Sequence, residues 1–109
     1  MAKISTSAKP LSFYASGEAP LEVLVDKFGS QLEQLDRRSK FLLLSSIALC
    51  AAVDAEDYPL EEAFSDLPFN EMNEDLQAML PQLYTLTGDN LLGLCEALVA
   101  QLRYTREVK

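Results

Sequence analysis

Apolar residues recur at helical spacing along most of the chain, and each stripe stops at a recognisable breaker. Leu21, Leu24, Val25, Phe28, Leu32 and Leu35 follow one another at intervals of 3, 1, 3, 4 and 3, with Glu22, Asp26, Lys27 and Glu33 between them. This is one face of an amphipathic helix, opened by Pro20, whose fixed φ and missing N–H suit a first turn. Gly29 falls inside the stripe at a cost of about 1 kcal/mol against Ala, which predicts a close helix crossing there. Asp36 is placed to cap a second helix over about 37–54, apolar nearly all round beyond Lys40. A helix without a polar face belongs at the centre, wrapped by the others.

Pro59 stops that helix. Leu60, Ala63, Phe64 and Leu67 predict two further turns, closed by Pro68. Asn70 or Asn73 then caps a helix carrying Met72, Leu76, Met79, Leu80 and Leu83; Pro81 either kinks it or opens a new helix from its first turn, and the kink is the preferred reading. At Thr87-Gly88-Asp89 the pattern breaks, with Gly88 read as a left-handed terminator and Asp89 as the next cap. The last helix, about 89–106, aligns Leu91, Leu94, Cys95, Leu98 and Leu102, and Arg103, Arg106 and Lys109 complement its dipole. No segment alternates with period two. The pattern predicts an all-α fold, a compact bundle of about five helices around a central apolar helix at about 37–54.

Residues 1–19 lack sustained periodicity and read as an N-terminal tail or docking arm, with Leu11, Phe13 and Tyr14 as its adhesive cluster. Residues 20–109 then form a single helical domain, since 109 residues cannot support a second core. The most apolar run, residues 41–53, has 13 residues against the roughly 17–25 that a spanning helix needs. The N-terminus lacks the apolar stretch of a secretory signal. Two cysteines 45 positions apart make no disulfide scaffold, so a reducing, cytoplasmic setting is expected.

Charge changes the picture most. The chain carries 17 acids and 9 bases, a net charge of −8, which argues against a phosphate-tracking nucleic-acid binder. Residues 54–89 hold ten acids and no Lys or Arg, while the rest of the chain is close to neutral. Some of these acids sit at helix starts, where the dipole favours them by about 0.3–1 kcal/mol each. The others form a block that repels itself unless it is solvated or met by an opposite charge. Its candidate binding residues are Glu56, Asp57, Glu61, Glu62 and Asp66, around the Pro59 turn. Arg37, Arg38 and Lys40 cluster at a helix start, against the dipole. The acidic block would compensate them, either within one chain or from a second copy in a homodimer.

Catalytic chemistry finds little support. With no histidine, Ser–His and Cys–His nucleophiles and nearly all catalytic zinc sites are excluded. Cys50 and Cys95 lie on apolar stripes and read as core residues. Glu61/Glu62 and Glu74/Asp75 are adjacent in sequence and diverge by about 100° on a helix, so they do not form a converging acid–base pair. An EF-hand begun at Asp54 meets Pro59 and Ser65 where Gly and Glu are required, and one begun at Asp66 meets Glu71 and Gln77. The stretch AAVDAEDYPLEEA resembles the helix-end motif of TerB-like helical domains, whose acidic cluster is associated with metal binding. Ala55 stands where that motif has Gly, and the resemblance assigns no ligand residue. No cofactor is implied. These features favour a non-enzymatic protein–protein interaction module, regulatory or adaptor-like, that uses its acidic surface on a basic protein partner. The alternative is a small-ligand or divalent-metal-binding helical domain, which would need a cavity above about 300 Å³ with convergent polar groups.

Overall fold

A computed structural model describes residues 9–104 of the chain. Six helices account for the fold: α1 Leu11–Tyr14, α2 Ala19–Phe28, α3 Arg37–Val53, α4 Leu60–Ser65, α5 Glu74–Leu83 and α6 Gly88–Tyr104. No strand occurs among the described residues. The protein is an all-α bundle in which α3 packs on α4 and α6, α2 on α5, and α1 on α6. The core between them is largely leucine, drawn from every helix.

α2 is shorter than its apolar stripe. Gly29, at φ 98°, ends it and donates its N–H to the Val25 carbonyl at 2.8 Å, so this glycine terminates the helix and marks no crossing within it. Leu32 and Leu35 remain buried on the turn that follows, which returns them to the same side. Leu32 has φ 51° and is fully buried. The left-handed conformation costs about 1–2 kcal/mol, while burying a leucine side chain contributes about 1.5–3 kcal/mol, so burial wins.

α3 spans the expected residues and begins with the expected cap. Asp36 accepts the Ser39 N–H at 3.1 Å and the Ser39 hydroxyl at 2.6 Å. That hydroxyl, completely buried, also accepts the Asn73 N–H at 2.9 Å, and Asn73 in turn caps α5 by accepting the Leu76 N–H at 3.1 Å. One relay therefore joins two helix N-termini. Burial along α3 differs from a fully wrapped helix. Ser39, Lys40, Leu42, Leu43, Ser46 and Ile47 are buried, but beyond Ile47 no α3 residue is, and Ala48, Ala51, Ala52 and Val53 are exposed. The end of α3 is apolar because it is alanine-rich, and alanine favours helix while leaving little area in water.

α5 runs through Pro81, whose ring nitrogen cannot donate to the Gln77 carbonyl one turn back. Gly88 is the first residue of α6 and not a left-handed terminator; Gly17 and Gly29 are the glycines with positive φ. Thr87 caps α6 in place of Asp89, its hydroxyl accepting the Asn90 N–H at 3.2 Å. Arg103 lies in the last turn of α6, whereas Arg106 and Lys109 fall outside the described residues. Gln101 is buried on α6, and neither polar atom of its amide has a partner among the described residues.

The arm from residue 9 docks on this bundle. Leu11 is fully buried and its N–H donates to the Ser30 carbonyl at 2.7 Å, while Phe13 stays exposed. Gly93 of α6 makes room for the end of α1, because a Cβ there would overlap the Tyr14 carbonyl oxygen. Glu18 clamps the junction by accepting the Thr87 N–H at 3.1 Å, the Thr87 hydroxyl at 3.0 Å and the Asn90 amide at 2.6 Å. The Asn90 amide first, and Thr87 after it, hold the Glu18 carboxyl below its ordinary value of 4.5.

Gly93→Ala should lose about 1–3 kcal/mol by overpacking the arm. Gly88→Ala, whose Cβ would meet nothing within 4 Å, should be neutral or gain up to about 1 kcal/mol. Equal denaturant midpoints for the two variants would contradict the docking of α1 on α6. Because Glu18 has a depressed pKa in the fold, its stabilisation is fully present above the ordinary carboxylate range and disappears as pH falls through the lowered value. The thermal advantage of the wild type over Glu18→Gln should follow that course, and an advantage that grows on acidification would refute the clamp.

Candidate functional site

The five carboxylates singled out from sequence come together around the α3–α4 connection. Asp54 ends α3 in the left-handed region, φ 50°, and donates its N–H to the Cys50 carbonyl at 3.0 Å. Aspartate tolerates this conformation better than most residues. The chain then turns through Glu56 and Asp57, both exposed, and closes with the Tyr58 N–H on the Ala55 carbonyl at 3.1 Å. Pro59 leads into α4, where Glu61 and Glu62 face solvent while Leu60, Ala63 and Phe64 are buried.

Asp66 differs from the other four. Its carboxylate accepts the Tyr58 hydroxyl at 2.5 Å, tying the turn to the far end of α4. That hydrogen bond, with smaller contributions from burial and the neighbouring carboxylates, pushes the Tyr58 phenol up to about 12. Tyr58 therefore stays a protonated donor throughout the physiological range. Among the described residues, no cation pairs with Glu56, Asp57, Glu61 or Glu62.

Beside these carboxylates lies an open groove of about 350 Å³, between the end of α3 and the starts of α4 and α6. Ile47, Cys50, Ala51, Leu60, Leu91 and Leu92 form its walls, with Asp54 and Tyr84 among its polar lining residues. Both of these are exposed. Sequence reading missed this feature, because it treated 37–54 as wholly enclosed and Leu91 as core. The available signal was the set of alanines at 48, 51 and 52, too small to demand a cover.

Both cysteines are half-buried, not core residues as expected, and neither forms a disulfide. Cys50 lines the groove and donates its thiol to the Tyr58 carbonyl at 3.3 Å. Burial, and secondarily the Glu61 charge, raises its pKa, and burial alone raises that of Cys95. Both sulfurs are thus held as thiols, the wrong form for a nucleophile.

The basic cluster is split by the fold. Lys40 is buried, whereas Arg38 on the surface pairs with Glu71, a member of the acidic block. Arg37 donates to the Leu102 carbonyl at 3.1 Å and lies over the Phe41 ring at 5.1 Å. Phe41 and Phe69, 44% and 66% exposed, line a second depression with these arginines.

Among the described residues, no group of three or more Cys, Asp or Glu is arranged to hold a metal ion. No helix of the described residues is long and apolar enough to cross a membrane. Comparison with protein-family models, with characterised proteins and with solved structures finds no match.

Because both thiols are held protonated, alkylation of the native protein near neutral pH should be slow at Cys50 and Cys95, and denaturant should accelerate both. Native labelling of either at the rate of the denatured chain would contradict these environments.

Proposed function

We propose that this chain is a non-enzymatic protein-interaction module, regulatory or adaptor-like, that captures a basic partner on the face built by Glu56, Asp57, Glu61 and Glu62, with Asp66 at its edge. The observation that carries the reading is that these four carboxylates are exposed within one turn and one short helix, without a cationic partner among the described residues. Such a face stores repulsion that a cationic surface relieves, and its field accelerates encounter with that surface. The same field repels phosphates, so nucleic acid is not the partner we assign. Two unpaired thiols fit a reducing, cytoplasmic compartment.

The small-ligand reading is weaker on geometry. The groove has the volume, but Asp54 and Tyr84 are exposed, so they do not converge on an enclosed ligand. Catalysis would need a base or nucleophile in a cleft, and the groove offers a protonated thiol.

Capture from a lysate by the immobilised wild type should enrich basic proteins at low salt. The Glu61→Lys/Glu62→Lys form should retain them several-fold less well at a nearly unchanged melting temperature, and the wild type should do the same at high salt. An identical retained set under all three conditions would overturn the reading.

A further inference from the structure

We infer that the groove between the end of α3 and the starts of α4 and α6 seats the apolar face of a cationic amphipathic helix supplied by a partner protein. This deepens the proposed capture of a basic partner and rests on it for the sign of the partner's charge.

The groove answers a question that the carboxylates leave open. Electrostatic steering brings a cationic surface close but gives little affinity once salt screens it, so a durable complex needs apolar burial beside the charge. The groove places such a surface next to the unpaired carboxylates. Ile47 and Leu60 form the floor of the groove and are nearly fully buried, while Ala51 and Leu92 stand exposed on its walls. Leu92 is 66% exposed on a helix whose other leucines pack inward, an orientation that folding alone does not require. Alanines at the end of α3 let a neighbouring backbone approach closely. This is the surface needed by the helix-in-groove mode, in which residues spaced at i, i+3 or i+4 and i+7 enter from one face.

Charge complementarity selects the occupant. Asp54 lies in the groove, the Glu56–Asp57 turn follows it directly, and Glu61 and Glu62 adjoin Leu60. The whole stretch 54–89 contributes no Lys or Arg to this end of the molecule. An occupant with lysine or arginine flanking its apolar stripe would meet opposite charge at the rim. A neutral or acidic helix would not, and an anionic membrane surface would be repelled. A second copy of this chain is disfavoured by its net charge of −8.

Cys50 supplies an internal reporter, since it lines this groove, whereas Cys95 lines an adjoining depression that shares Leu92 with it. The probe is a labelled peptide of leucine and lysine at helical spacing, about 14 residues and roughly 21 Å long as a helix. A leucine–glutamate peptide of the same length is the control. The lysine peptide should bind in anisotropy titrations at low salt and the glutamate peptide should not. Saturation should slow Cys50 alkylation by about fivefold or more and leave Cys95 unchanged, as expected if a bound helix excludes reagent from its seat alone. Leu92→Gln and Ala51→Gln, at exposed positions that preserve charge and fold, should weaken binding and restore Cys50 reactivity.

Binding that leaves Cys50 unprotected would overturn the groove while sparing the acidic-face reading. Protection of Cys50 that survives both Glu61→Lys/Glu62→Lys and high salt would overturn the cationic character of the occupant, and with it the acidic-face reading. Protection of Cys50 that rises with protein concentration alone, accompanied by a dimer in sedimentation, would assign the groove to a second copy and overturn the inference. Failure of the lysine peptide to bind at low salt would overturn it as well.

Discussion

The buried hydroxyl of Ser39 joins two helix N-termini, and much of the architecture depends on that junction. It donates to Asp36, the cap of α3, and accepts from the backbone of Asn73, the cap of α5. A single N-cap contributes about 1 kcal/mol, but here two caps share one oxygen away from water, and loss of either would leave a buried polar group unpaired. The relay sets where α5 begins relative to α3, and so where the intervening α4 must lie. Arg37, at the same end, reaches the carbonyl of Leu102 near the close of α6. The N-terminal end of α3 is thus fastened on two sides.

The opposite end of α3 is held differently. After Ile47 none of its residues is fully buried, and the chain leaves through the left-handed Asp54. The gap between the last turns of α3 and the first turns of α6 is the groove. The carboxylates lie at this end because the connection that carries them is also the one that turns away from α3. Apolar recess and acidic rim therefore arise from one feature, a helix secured at its start and uncovered at its finish. On the other side of α6, Glu18 and Gly93 hold the arm down and keep that flank of the helix covered.

Much of this was legible from residue order. Asp36, Asn73 and the Pro59 turn were readable because capping and proline act locally, within three or four residues. The exposure of Glu56, Asp57, Glu61 and Glu62 followed from their charge. Other features were not legible, for identifiable reasons. Leu32 and Leu35 keep helical spacing while lying on a turn, because burial outweighs the left-handed strain at Leu32. Gly29 reads as lying inside a helix and Gly88 as a left-handed terminator, yet of the two it is Gly29 that takes positive φ; the difference is tertiary, since Thr87 is held as a cap by Glu18, 69 positions away. The end of α3 was misjudged because apolar character was equated with burial, and alanine satisfies the first without requiring the second. Asp66 could be placed in the acidic face, but its pairing with Tyr58 across α4 could not be read.

The central claim is that α3 has a fastened end and a receptive end, and that a cationic helix distinguishes them. Amide chemical shifts of the isotopically labelled protein, followed as the leucine–lysine peptide is added, test this most directly. The account predicts shifts grouped at Cys50, Ala51, Ala55, Leu60, Leu91 and Leu92, with Arg37, Phe41 and Phe69 at the other end undisturbed. Shifts centred on Phe41 and Phe69, or scattered over the surface without grouping at the groove, would contradict it.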